Sequence, residues 1–250
     1  MKKSYGLTLC LLALLATGCA RHDEHITIFT IGDSTMANKP LENDNLERGW
    51  GQVLGSFFDT CHVTVSNHAL NGRSSKSFFD EGHWQPVYDN IQPGDYVFIQ
   101  FGHNDEKPKA DRHTDPGSTY DAQLKFYIDQ TREKGGIPVL LTSIVRRKFG
   151  EDGLLTPTHG DYPQAVRNVA EETGVILIDH NVLSKSLVEQ MGPEDSKQLF
   201  MWVEKGTNKA APDGKQDDTH LKELGALKIA GLAVDEIAVK IPRLAQYILP

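Results

Sequence analysis

The chain has 250 residues, 39% of them hydrophobic and 24% charged, with a formal net charge of −8. That length and composition suit one globular domain with a sizeable core. The acidic balance argues against a nucleic-acid binder, which needs a basic face. The three cysteines give no disulfide framework,.

The first residues form a separate unit. Lys2 and Lys3 make a basic start, Leu7 to Thr17 an apolar stretch too short to span a membrane, and Ala16-Thr17-Gly18-Cys19 a close of small residues,. This is expected to be an export signal over residues 1–19. Its cysteine resembles that of a bacterial lipoprotein box, with Ala16 where a larger aliphatic residue is usual. A lipid anchor at Cys19 and a periplasmic or cell-surface location are therefore expected, with plain secretion as the alternative. Cys61 opens an apolar stretch and is expected to be a buried small hydrophobe.

Short runs rich in branched and aromatic residues then follow in order: Ile26 to Ile31, Val63 to Ser66, Tyr96 to Phe101, Val139 to Ser143 and Val175 to Asp179. Several are continuously apolar, as parallel strands covered on both faces are. Between them, helices are expected over Thr119 to Lys134, stopped by Gly135-Gly136, and over Gln164 to Thr173, stopped by Gly174. A last helix is expected over Leu221 to Val239, before Pro242. The alternation predicts an α/β protein, a three-layer α/β/α sandwich on a five-stranded parallel sheet joined by right-handed crossovers. No linker divides residues 24–250, which are expected to form one catalytic domain. Two connections, Glu106 to Gly117 and Val145 to Pro163, are long enough to shape a ligand site.

Ser34, Gly72 and Asn104 each follow a predicted strand, so all three are expected on the carboxyl edge of the sheet, where such folds bind ligands. Each residue also admits a purely structural reading. Gly32-Asp33-Ser34-Thr35 could cap a helix, Asn71-Gly72 could be a turn needing positive φ, and Asn104 could close an Asx turn. His103 reads as a packed or substrate-facing histidine. In Asp217-Asp218-Thr219-His220, a helical turn would put Asp217 and His220 on one face and leave Asp218 to cap the next helix. Asp217 would then orient the His220 imidazole toward Ser34, as a serine nucleophile requires.

Taken together, Gly-Asp-Ser, Asn-Gly, Gly-x-Asn and Asp-x-x-His, in that order at successive strand ends, resemble the SGNH hydrolases, the GDSL esterases and lipases. Thr35 stands where the family name has leucine. The stretches Thr30 to Ala37, Arg48-Gly49-Trp50-Gly51, Asn71 to Phe78 and Gln100 to Asp105 look most like rhamnogalacturonan acetylesterases, which deacetylate a pectic polysaccharide. The resemblance implies a flavodoxin-like sheet and a serine esterase with Ser34 as nucleophile, His220 as base and Asp217 as its partner. It also implies an oxyanion hole from Ser34, Gly72 and Asn104, an acetylated acidic glycan as substrate, and no metal or other cofactor.

For an acidic substrate, Arg73, Lys76, Lys107, Lys109, Arg112 and Arg146-Arg147-Lys148 are the candidate cations. His103 is a further candidate contact, and Trp84 and Trp202 are candidate sugar platforms. Competing expectations are an acetylesterase for another glycan such as xylan, a metal-dependent phosphoesterase built on Gly102-His103-Asn104-Asp105, and a binding module without catalysis. The α/β-hydrolase class is excluded, because no Gly-x-Ser-x-Gly is present,.

Overall fold

The computed structural model describes residues 25–250. The expected export signal and Cys19 lie outside the described residues. Among the described residues the strands are β1 Ile26–Gly32, β2 Glu47–Arg48, β3 Val63–Asn67, β4 Tyr96–Gln100, β5 Ile137–Leu141, β6 Ile176–Ile178, β7 Phe200–Val203 and β8 Lys215–Lys222. The helices are α1 Trp50–Val53, α2 Ser75–Asp80, α3 Gln85–Asn90, α4 Thr119–Glu133, α5 Tyr162–Thr173, α6 His180–Asp195, α7 Glu223–Lys240 and α8 Pro242–Ala245.

Five strands form a parallel sheet in the order β3-β1-β4-β5-β6. Among those five this is the 2-1-3-4-5 order of flavodoxin-like sheets, whose strand direction of growth reverses beside the first strand. Alternate residues of β1, β4 and β5 feed opposite cores. Ile26 and Ile28 of β1, Tyr96 and Phe98 of β4, and Val139 and Leu141 of β5 pack with α1 and α7 on one face. Phe29 and Ile31, Val97 and Ile99, and Leu140 pack with α2, α4 and α5 on the other. Burial on both faces is why these strands read as continuous apolar runs.

Local chemistry sets the helix ends. Ser74 and Ser77 form a reciprocal capping box at the start of α2,. Helix α5 carries Pro163 in its first turn and ends on Gly174 at φ +66°,. Helix α7 begins at Glu223, later than expected from the sequence, because residues up to Lys222 belong to a strand.

That strand is the main departure from expectation. Residues 217–220 are extended rather than helical: β8 pairs antiparallel with β7 on one side and with the two-residue β2 on the other, forming a second, three-stranded sheet. The β8 sequence is almost wholly polar, so it carries no apolar period to mark a strand. Cys61 also departs from expectation. It is exposed, in the turn before β3, where its N–H donates to Asp59 Oδ1 at 2.9 Å.

Candidate active site

Strand β1 ends in a tight turn, in which the Met36 and Ala37 N–H groups both donate to the Asp33 carbonyl. Within it, Asp33 Oδ1 accepts from the Thr35 N–H at 2.9 Å and from the Thr35 hydroxyl at 2.8 Å. Thr35, in the place of the family's leucine, thus supplies a donor to a buried carboxyl. Burial raises the Asp33 carboxyl above its ordinary range despite these donors,. Asp33 and Thr35 point into the protein, and Ser34, between them, is left half-buried at the surface.

His220 reaches Ser34 because β8 bulges. Phe200 and Met201 are neighbours on β7, yet they face Leu221 and Asp217, so Asp218, Thr219 and His220 are extra residues on β8,. The loop they form folds back on Asp217. Asp217 Oδ1 accepts from the N–H groups of Thr219 at 2.9 Å and His220 at 3.0 Å, while Oδ2 accepts from His220 Nδ1 at 2.8 Å. The other imidazole nitrogen, Nε2, lies 3.0 Å from Ser34 Oγ and accepts its proton. Burial alone would raise the Asp217 carboxyl. The imidazole and the two backbone donors outweigh it and hold the group well below the usual carboxylate range,. Such an array fixes the tautomer of His220 and aims its basic nitrogen at a hydroxyl.

Asp218 does not cap the following helix. Its Oδ1 accepts from the Arg147 guanidinium and from the Trp202 indole N–H, both at 2.7 Å. Arg147 also lies over the Trp202 ring, 4.8 Å from its centroid. These contacts pin the loop after β5 to the β8 bulge.

The Asn71–Gly72 turn follows β3, whose pairing with β1 continues past the strand through the Leu70 N–H to the Gly32 carbonyl at 3.0 Å. The turn therefore lies beside the Ser34 strand end. Gly72 has φ +75°, a conformation that favours glycine,. A Cβ there would sit 3.4 Å from the Arg112 guanidinium. On the other side of β1, in the loop after β4, the buried Asn104 amide is held at both ends: Nδ2 donates to the Arg73 carbonyl at 3.0 Å, and Oδ1 accepts from Lys107 Nζ at 2.8 Å. One amide proton remains. The N–H groups of Ser34 and Gly72 likewise have no protein acceptor among the described residues.

Asp105 ties the loops together. Its carboxyl accepts from the N–H and hydroxyl of Ser75, from the Gly102 N–H at 3.0 Å and from the Thr114 hydroxyl at 2.9 Å. Gly102 has φ +138°, and a Cβ there would come within 2.4 Å of the Ser143 hydroxyl, so only glycine fits beside this knot,. Burial pushes the Asp105 carboxyl up to about 6, against the donors from Ser75 and Thr114.

Four side chains expected to touch substrate are engaged elsewhere. Arg73 pairs with Glu81 at 2.6 Å, Lys76 donates to the Ala110 carbonyl at 2.7 Å, and Arg146 pairs with Glu106. His103 is packed rather than substrate-facing: it is only 2% exposed, its ring standing edge-on to His159 at 4.4 Å between centroids. Burial, with the charges of His159 and Arg146, holds it neutral, well below the usual histidine range,. Trp84 is also buried, in the core on the α4 face, so it offers no sugar platform. No group of three or more His, Cys, Asp or Glu side chains able to hold a metal ion occurs among the described residues.

Sequence reasoning missed Lys107 and Asp105 as supports for Asn104. It also missed Lys39, Glu47 and Lys215, which lie beside the site. The signal was faint: Glu47 adjoins the Arg48-Gly49-Trp50-Gly51 stretch, while the lysines look like ordinary surface residues.

Residues 30–227 match the model of the GDSL-like lipase/acylhydrolase family. The chain belongs to that family. It is 43% identical over 212 residues to the rhamnogalacturonan acetylesterase RhgT of Bacillus subtilis (strain 168), covering 85% of this chain and 89% of the relative. A rhamnogalacturonan acetylesterase of Emericella nidulans is 30% identical over 258 residues, covering 95% and 96%. Among solved structures, protein YXIM of Bacillus subtilis superposes with a TM-score of 0.74 at 30% identity, over 86% of this chain and 57% of that one. A catalytic mutant of Axe2, an acetylxylan esterase from Geobacillus stearothermophilus, has a TM-score of 0.60 at 16% identity, covering 86% and 94%, a likeness of fold alone.

Proposed function

We propose that this chain is a serine carbohydrate esterase that releases acetate from O-acetylated rhamnogalacturonan. The observation that carries the chemistry is the continuous path from Asp217 through His220 to Ser34, with contacts of 2.8 and 3.0 Å. His220 Nε2 takes the Ser34 proton as Oγ bonds to the acetyl carbonyl carbon. The bond from that carbon to the sugar oxygen then breaks, and His220 returns the proton to the leaving oxygen. Water, deprotonated by the same nitrogen, attacks the acetyl carbon; the bond from that carbon to Ser34 Oγ breaks, Oγ takes the proton back from His220, and acetate leaves. The negative charge on the carbonyl oxygen is received by the Ser34 N–H, the Gly72 N–H and the remaining Asn104 amide proton.

The substrate reading is supported by likeness to two proteins named rhamnogalacturonan acetylesterases over most of their length. It is tested by acetate release from acetylated rhamnogalacturonan, with acetylxylan in parallel. Faster turnover of the pectic substrate is expected, and faster turnover of acetylxylan would refute it. Export is part of the proposal, supported by Lys2, Lys3, the apolar stretch and Cys19,. Labelled fatty acid should enter the wild-type chain and not the Cys19→Ala variant; equal labelling would refute the anchor.

A further inference from the structure

Beside the site runs a line of alternating charges. Lys39 Nζ donates to Asn71 Oδ1 and lies 2.7 Å from Glu47 Oε1. Glu47 Oε2 lies 3.6 Å from Lys215 Nζ, which in turn lies 3.2 Å from Asp217 Oδ2. That oxygen is the one that accepts from His220. One end of the line holds the turn that presents the Gly72 N–H, and the other holds the carboxylate that orients the imidazole.

Two of its members are costly choices for a surface patch, while Lys215 is more exposed. The Lys39 side chain is 3% exposed and Glu47 19%, and a buried ammonium is tolerated only when paired and hydrogen-bonded. Each is anchored independently of the site. Gln52 clamps the Lys39 backbone, accepting from its N–H at 3.0 Å and donating to its carbonyl at 2.9 Å. Glu47 is fixed on β2 by pairing with Lys222 of β8. Tying β2 to β8 would not by itself require two ammonium groups; reaching both Asn71 and Asp217 does.

We propose that Lys39, Glu47 and Lys215 are positioning residues that couple the Asn71–Gly72 turn to Asp217 and set the charge around His220. The inference rests on the esterase reading above. Charged or titratable groups face His220 from several elements: Asp217 and Lys215 on its own strand, Glu47 on β2, Asp33 after β1 and His103 after β4. Burial favours the neutral form of both Asp33 and His103. Asp33 and His103 are unaltered by substitution at Glu47 or Lys215, so such substitutions change only the charge that those two side chains place near the imidazole. Removing the Lys215 cation favours the imidazolium, and removing the Glu47 anion disfavours it. The two substitutions should thus move the acidic limb of the activity profile in opposite directions. A unit charge about 6 Å away, at an effective dielectric of about 40–80, moves such a limb by about 0.5–1 pH unit.

The experiment is kcat/KM against pH for 4-nitrophenyl acetate, using the full chain and its Lys215→Met, Lys215→Arg and Glu47→Gln variants. The limb should rise by about 0.5–1 pH unit in Lys215→Met, return to the wild-type position in Lys215→Arg, and fall in Glu47→Gln. A limb that stays in place in Lys215→Met, or moves the same way in both charge-removing variants, overturns the proposal. If Glu47→Gln fails to fold, the Lys215 pair decides alone. A wild-type chain without esterase activity would instead overturn the esterase reading itself, a distinct result.

Discussion

Truncating Asn104 to alanine separates a transition-state role from a structural one. Its amide does three things: one proton goes to the Arg73 carbonyl, the oxygen takes Lys107, and the second proton is left over. Losing the first two contacts, one neutral hydrogen bond and one with a charged partner, costs about 2–4 kcal/mol of stability. A domain stable by about 5–15 kcal/mol stays folded after that loss, with Tm lowered by several degrees. Losing the third donor removes an interaction made with the oxyanion alone, which typically costs about 3–4 kcal/mol of barrier, or about 100- to 1,000-fold in kcat. Because a neutral carbonyl gains little from that donor, KM should stay within about threefold. Lys107→Met provides the control: the amide keeps its donors and its anchor on Arg73, so kcat should fall by about tenfold or less. Steady-state kinetics on 4-nitrophenyl acetate, with Tm measured on the same samples, read both effects. A folded Asn104→Ala chain with kcat within fivefold of wild type would refute the reasoning.

Asp217→Asn keeps the shape of the side chain but exchanges an acceptor for a donor facing His220 Nδ1, which already donates there. The imidazole must then turn or change tautomer, and kcat/KM at pH 7 should fall by about 1,000- to 10,000-fold; a loss under tenfold would contradict the orienting role. Asp105→Asn tests the loop knot through pH. In the folded chain this carboxyl titrates at about 6 rather than 3.8, so folding takes up a proton between those values. Its contribution to stability is complete below the unfolded value and is lost as pH rises through about 6. The wild-type advantage over Asp105→Asn in denaturant unfolding should therefore narrow from pH 4 to pH 7.5, by roughly 2–3 kcal/mol. An equal advantage at both pH values would contradict it.

The central sheet was legible because its middle strands, β1, β4 and β5, are buried on both faces. Ile26–Gly32 and Tyr96–Gln100 read as apolar runs whatever lies around them,. Their ends placed Ser34, Gly72 and Asn104 on one edge by topology alone. The approach of His220 was legible only as an Asp-x-x-His spacing, and the expected helical turn was wrong. In a strand that spacing would put the two side chains on opposite faces. A three-residue bulge undoes the alternation, and bulges have no sequence period. Helix α6 escaped notice: its apolar residues are scattered among polar ones, and its last turn is broken by Gly192 and Pro193, at which the chain kinks,. The partners of the cations were not legible either. Which carboxylate or carbonyl stands within reach of a lysine or arginine is set by the fold, and Ala110 and Glu106 are distant in sequence from Lys76 and Arg146.

The most direct test of the account is where a fluorophosphonate reacts. Mass spectrometry of the labelled wild-type chain should find a single adduct, on Ser34, with acetate release lost in proportion to labelling and no adduct in Ser34→Ala. Labelling at another residue, or undiminished acetate release by a folded Ser34→Ala chain, would contradict it.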